Sequence, residues 1–127
     1  MACFWIGLLN ALNSKDIKNV FDIKHKPKPK EFMILLKNNN IKTIDVKWNG
    51  AILNDNILNE NMKHIKNLQP KKINEGYLCS VCDPVLLLIV QLFNINIIHN
   101  YNGVIVKYTI DSATKEIELN NNSTHFF

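Results

Sequence analysis

The first two thirds of the chain carry apolar residues at the spacing of an α-helix. Phe4, Leu8 and Leu12 follow Cys3 on one helical face, because residues three to four positions apart share a face. Later segments repeat this pattern, with polar residues suited to begin or end a helix between them. The predicted helices are residues 3 to about 13, a short segment from Ser14, residues 31–38, a segment that begins at Asp55 and ends before Pro70, and residues 85–93 after the start signal Asp83-Pro84.

Residues rich in β-branched side chains dominate the last third of the chain and predict strands. Asn49-Gly50 and Asn102-Gly103 are turn signals. Because helices come first and most strands last, the order predicts an α+β domain, with helices packed on a small antiparallel sheet formed mainly by the C-terminal half. The predicted strands are residues 41–46, 95–99, 104–109, 115–119 and 124–127.

Length and composition indicate the class of protein. The chain has 127 residues, of which 46% are hydrophobic, and this suits one compact domain over residues 1–127. Three cysteines are an odd number, which argues against a disulfide framework and for a reducing compartment. No apolar run approaches the roughly 18 residues of a membrane span, and the N-terminal segment lacks the basic start of a signal peptide. We therefore expect a soluble, cytoplasmic protein.

The net charge of +4 raises the question of nucleic-acid binding. Every basic residue is a lysine, and arginine, the side chain that makes the commonest specific contact to a base, is absent. The densest charged stretch, residues 24–30, contains two prolines and no aromatic residue on which a base would stack. This stretch is typical of a stiff, solvated linker, so we expect no nucleic-acid partner.

Cys3 and His125 stand near opposite ends of the chain and are the best candidates for chemistry. Cys3 opens the first predicted helix, and a helix N-terminus favours the nucleophilic thiolate through unpaired N–H groups and a partial positive charge. A histidine on a distant strand supplies a base for the thiol proton. Since a lone cysteine is more often a small buried hydrophobe, the interpretation depends on the sequence around the pair.

The segments around both residues resemble those of a known family. Cys3-Phe4-Trp5 precedes a run of leucines, and Ser123-Thr124-His125-Phe126 lies at the other end. These segments resemble the opening Cys-Leu-Phe type element and the closing Gly-His-Tyr or His-Phe element of the ovarian-tumour (OTU) cysteine proteases, papain-like deubiquitinases with many viral members. Residues 83–89, 95–98 and 106–108 are similar to the core helix of the family and the strands after it. The resemblance spans nearly the whole chain in order.

The resemblance implies a papain-like OTU fold and a thiol isopeptidase that uses neither cofactor nor metal. Its implied substrate is ubiquitin or a ubiquitin-like modifier. The Cys3 thiolate attacks the carbonyl of the modifier's C-terminal glycine, and His125 carries the thiol proton to the departing lysine amine. Backbone N–H groups near Cys3 bind the oxyanion. We expect no membrane partner, a monomer or weak dimer, and a location in the host cytoplasm or virion if the protein is viral.

The third catalytic residue is open at this point. The family often has it two positions after the histidine, where this chain has Phe127. If residues 121–124 form a hairpin loop, Asn120 faces His125 across the strands and orients its imidazole, as in a Cys-His-Asn arrangement. The alternative is that Asn120 is a turn residue.

Other groups predict weaker alternatives. Cys79-Ser80-Val81-Cys82 has the spacing of zinc or redox sites, but neither a second ligand pair nor a βαβ pattern accompanies it. His25, His64 and His99 are interpreted as solvated or locally hydrogen-bonded rather than catalytic. The competing function is a catalytically degenerate OTU-like module that binds ubiquitin or another protein without cleaving it.

Overall fold

The computed structural model describes residues 3–121, in which helices and strands follow the predicted order. The helices are α1 (Cys3–Ala11), α2 (Ser14–Phe21), α3 (Pro29–Asn38), α4 (Asp55–Lys66) and α5 (Pro84–Phe93), with a short 3-10 helix over Pro70–Glu75 between the last two. The strands are β1 (Val46–Trp48), β2 (Ala51–Ile52), β3 (Asn96–Tyr101), β4 (Val104–Ile110) and β5 (Glu116–Asn121). The predicted final strand, residues 124–127, lies outside the described residues.

Side-chain caps decide where three of the helices begin. Asn13 caps α2 and Asn54 caps α4, each accepting hydrogen bonds from backbone N–H groups of the first turn. Both caps lie one residue before the predicted starts, Ser14 and Asp55, because the asparagine oxygen reaches the unpaired N–H groups of the first turn. Asp83 caps α5 and a proline follows as its first residue, so this start signal is confirmed.

The sheet is mixed rather than antiparallel, with strand order β2-β1-β4-β3-β5. Neighbouring strands run antiparallel except β3 and β5, which pair in parallel. The prediction of an antiparallel sheet was therefore wrong for this pair. The short connection from β4 passes the start of β3, where the Asn96 N–H donates to the Lys115 carbonyl at 2.9 Å. Strand β5 thus begins beside the start of β3 and runs in the same direction.

The strand predicted over residues 41–46 forms only at its end. Strand β1 begins at Val46, and the side chains of Ile41 and Ile44 are exposed. The Asn49-Gly50 turn is confirmed, since both residues have positive φ, as a tight hairpin between β1 and β2 requires. The turn sets which residues pair, and it places the strand later than the apolar pattern alone suggested.

The core lies between the helices and one face of the sheet, as expected for an α+β domain. Helix α5 is the most buried helix, with every residue from Val85 to Val90 inside the core. Inward-facing strand residues such as Val106 and Leu119 join the same core, whereas Lys107 and Glu118 on the other face are exposed. Alternating side chains account for this division. No helix within residues 3–121 is both long and apolar enough to cross a membrane.

Candidate functional site

Cys3 is the first residue of α1, and its side chain is half-buried. Helix α1 packs against β5. An ion pair of 2.6 Å joins Lys115, just before β5, to Asp16 in the first turn of α2. Because α2 follows α1 directly, this pair holds the C-terminal end of α1 at the start of β5. The C-terminal end of α1 therefore lies near the start of β5, and Cys3 lies at the opposite end of the helix.

The lengths of the two elements agree with this arrangement. Nine helical residues in α1 extend about 13 Å, and six strand residues in β5 extend about 20 Å. Helix α1 is therefore shorter than β5. His125, the candidate base, lies outside the described residues, four positions after Asn121. The geometry of the Cys3–His125 pair stays a prediction.

Asn120, the candidate third member, lies within β5 and not in a turn. Successive side chains of a strand point to opposite faces. Its neighbour Leu119 is buried in the core, and Asn121 on the other side contacts buried His99. Asn120 therefore points to the outer face, beside Asn100 of β3. The hypothesis that Asn120 orients His125 involves residues beyond those described and stays a prediction.

His99 lies near the middle of β3 with its side chain fully buried. Its Nε2 atom is 2.5 Å from Oδ1 of Asn121, so Nε2 carries the proton and donates to the amide oxygen. Burial lowers the pKa of His99, while the bond to Asn121 and the negative charge of Asp83 act in the opposite direction. His99 is thus locally hydrogen-bonded, as one of the two interpretations had it, but it is not solvated.

A cluster that sequence reasoning missed surrounds the first turn of α1. The ring of Tyr77 lies 4.5 Å from the ring of Phe4 and 5.5 Å from that of Trp5, measured between ring centroids. The Tyr77 hydroxyl is 3.0 Å from each carboxylate oxygen of Asp83 and 2.8 Å from Nε2 of His64. Burial, followed by the charge of Asp83, raises the pKa of Tyr77. The hydroxyl therefore stays protonated and donates a hydrogen bond to Asp83.

Asp83 is the centre of this cluster, and its side chain is completely buried. Besides Tyr77, it accepts hydrogen bonds from the backbone N–H groups of Ser80 and Val85, at 2.9 and 2.8 Å. Burial raises the pKa of Asp83, and the hydrogen bonds from Ser80, Tyr77 and Val85 oppose that rise. The only sequence signal was that Asp83 precedes an apolar helix, and this signal does not reveal that the carboxyl group lies inside the protein.

The thiols of Cys79 and Cys82 adjoin the same carboxyl group. Burial, then the charge of Asp83, raises the pKa of both thiols, to about 11 for Cys82. Both thiols are therefore almost wholly protonated at neutral pH and are poor nucleophiles. Residues 3–121 contain no group of three or more His, Cys, Asp or Glu side chains placed to hold a metal ion.

A cavity of about 380 Å³ lies beside the cluster. Trp5 and Tyr77 form one wall, and Met33 and Leu68 contribute apolar surface. Gly76 also lines the cavity with φ of 85°, a conformation that suits glycine and that lets the chain turn from the 3-10 helix into Tyr77. The first turn of α1 thus borders open space on this side.

Known proteins offer no assignment for this site. Comparisons with protein-family models, curated proteins and solved structures gave no match to the chain. The argument for function therefore depends on the residues and geometry described above.

Proposed function

We propose that the protein is a thiol-dependent deubiquitinase, an isopeptidase in which Cys3 is the nucleophile and His125 the general base. Its substrate is ubiquitin or a ubiquitin-like modifier, as the resemblance to the OTU family implies. One observation carries the proposal. Helix α1 packs against β5 with its C-terminal end near the start of that strand, and Cys3 lies at the other end of the helix.

The reach of the chain agrees with this proposal. His125 is four positions after Asn121, the last residue of β5, and four steps along the chain span at most about 14 Å. We infer that this short connection keeps His125 near the end of β5.

The reaction is an acyl transfer in two steps. The Cys3 sulfur bonds to the glycine carbonyl carbon, the bond from that carbon to the lysine nitrogen breaks, and the proton from the thiol passes through His125 to the amine. Water then attacks the carbonyl carbon of the thioester and gives one proton to His125, the bond from that carbon to sulfur breaks, and the modifier leaves with a free C-terminal carboxyl group. The proton passes from His125 to the Cys3 sulfur and regenerates the thiol. Backbone N–H groups at the start of α1 stabilise the oxyanion of each tetrahedral intermediate.

The test uses ubiquitin that carries a thiol-reactive group at its C-terminus. We expect a single covalent adduct on the folded protein, mapped to Cys3 by peptide mass spectrometry, and no adduct with Cys3→Ala. His125→Ala should slow labelling by about 100-fold or more, because general base catalysis contributes about that much. Cys82→Ala is the matched control and should label at the wild-type rate, since its protonated thiol is a poor nucleophile.

Failure has two distinguishable forms. If folded wild-type protein binds ubiquitin without forming an adduct, the protein is the degenerate binding module and the catalytic proposal is wrong. If ubiquitin neither binds nor reacts, the assignment to ubiquitin is wrong as well. Labelling at Cys79 or Cys82 in place of Cys3 would also contradict the proposal.

The role of Asn120 has its own test. Asn120→Ala should slow labelling if this amide orients His125. Asn100→Ala is the matched control, because Asn100 is the β3 partner of Asn120. Equal labelling rates for the two variants and the wild type would remove Asn120 from the site.

A further inference from the structure

Aromatic rings pack around the first turn of α1. The rings of Phe4 and Trp5 meet edge to face with centroids 5.1 Å apart, and Tyr77 packs against both. The indole N–H of Trp5 is buried and has no hydrogen-bond partner among residues 3–121, so no polar contact of this side chain fixes the turn. Trp5 also lines the neighbouring cavity. The contacts with Tyr77 therefore help to hold this turn in place.

Tyr77 is in turn fixed by Asp83, which is anchored in the core. Asp83 caps α5, the most buried helix, and its backbone N–H donates to the hydroxyl of Tyr108 at 2.9 Å. The Tyr108 hydroxyl donates to the carbonyl of Val81, also at 2.9 Å. A chain of hydrogen bonds thus connects β4 and the start of α5 to the Tyr77 hydroxyl. His64 lies on the exposed side of that hydroxyl and donates to it.

We propose that Tyr77 is a positioning residue for Cys3. Its hydroxyl, held by Asp83, fixes the ring that sets the first turn of α1, and this turn carries both the thiol and the backbone N–H groups of the oxyanion site. The inference rests on the proposed function, because Tyr77 acts through α1 and does not itself contact the reacting atoms. A small displacement of a nucleophile lowers the rate of reaction while leaving substrate binding intact.

The experiment measures the maximal labelling rate, kinact, and the half-saturation concentration, KI, with the reactive ubiquitin probe. Tyr77→Phe keeps the ring and removes the hydrogen bond to Asp83. We expect kinact to fall about tenfold with KI unchanged within about twofold, because only the placement of Cys3 changes. A merely structural weakening of the fold does not separate the two constants in this way.

Two controls accompany this variant. His64→Ala removes the exposed neighbour of the Tyr77 hydroxyl but leaves the bond to Asp83, so both constants should stay within about twofold of wild type. Leu58→Ala destabilises α4 at a buried position outside the core cluster that contains Phe4 and Trp5. It should lower stability without changing kinact.

Hydrogen exchange supplies a readout that is independent of activity. The amides of residues 7–9 bond to the carbonyls of residues 3–5, and they should exchange about tenfold faster in Tyr77→Phe relative to the amides of α5. If the wild type reacts but Tyr77→Phe has an unchanged kinact, the positioning role is overturned and the proposed function stands. If the wild type does not react, the proposed function fails. In that case unchanged exchange at residues 7–9 would overturn the packing role of Tyr77 as well.

Discussion

Protonation of His99 should destabilise the fold in mildly acidic solution. The His99 side chain is fully buried between β3 and the core, with Nε2 donating to Asn121 and the Tyr101 ring 5.7 Å away. Burial lowers the pKa of His99 below its ordinary value of 6.5. The folded state therefore binds fewer protons than the unfolded state below about pH 7, and the free energy of unfolding falls as the pH falls.

The size of the effect follows from this linkage. If the pKa of His99 in the folded state lies well below about 5.5, the free energy of unfolding decreases by at most about 1.4 kcal/mol between about pH 7.5 and about pH 5.5. The raised pKa of buried Asp83 acts with the opposite sign, because the contribution of Asp83 is lost as the pH rises through its folded pKa. The pH dependence of wild-type stability therefore combines the contributions of His99 and Asp83.

The variant His99→Gln isolates the histidine because glutamine does not titrate, whereas Asp83 is the same in both proteins. Urea denaturation at the two pH values gives the free energy of unfolding of each protein. We expect the free energy of unfolding of the wild type minus that of His99→Gln to be smaller at about pH 5.5 than at about pH 7.5, by up to about 1.4 kcal/mol. An equal difference in the free energy of unfolding at both pH values would refute the predicted role of His99 protonation.

Three further predictions concern reactivity and stability. Iodoacetamide should modify Cys82 about tenfold more slowly than an ordinary thiol. A pKa of about 11 lowers the thiolate fraction of Cys82 about 100-fold, and the higher intrinsic nucleophilicity of that thiolate restores about tenfold of the rate. Rapid labelling of Cys82 or Cys79 in the folded protein, followed by mass spectrometry, would contradict this prediction. Leu86→Ala on buried α5 should cost about 2–5 kcal/mol in urea unfolding, whereas Ile52→Ala, at a side chain that is 74% exposed, should cost less than about 0.5 kcal/mol. Asn13→Ala removes the cap of α2 and should cost about 1 kcal/mol, and an unchanged denaturation midpoint would show that this cap is dispensable.

Elements with strong local signals could be predicted well from the sequence. Helix α5 has an apolar run, a capping aspartate and a first-position proline, and these signals act within a few residues of one another. The strand predicted over residues 41–46 failed for the opposite reason. Isoleucines at positions 41 and 44 have the right composition, but they are exposed, and pairing with β4 begins only at Val46.

Some features of the candidate site could likewise be predicted from the sequence, and others could not. The place of Cys3 at the start of a helix follows from the apolar spacing after it, and the structure confirms it. The contacts of Tyr77 and the burial of His99 escaped prediction because they involve segments distant in sequence. Nothing near Tyr77 in the sequence indicates that its ring packs against the ring of Phe4. Nothing near His99 in the sequence indicates that its Nε2 atom is hydrogen-bonded to Asn121.

By itself, the sequence determined the helices, the β-rich C-terminal half and the cysteine at the start of α1, because capping and apolar periodicity are local properties of the chain. Only the tertiary structure decided the parallel pairing of β3 with β5, the burial of Asp83 and the packing of α1 against β5. These features depend on which distant segments exclude water from one another, and on where a short connection allows a strand to begin. The packing of α1 against β5 is what makes Cys3 and His125 a testable pair.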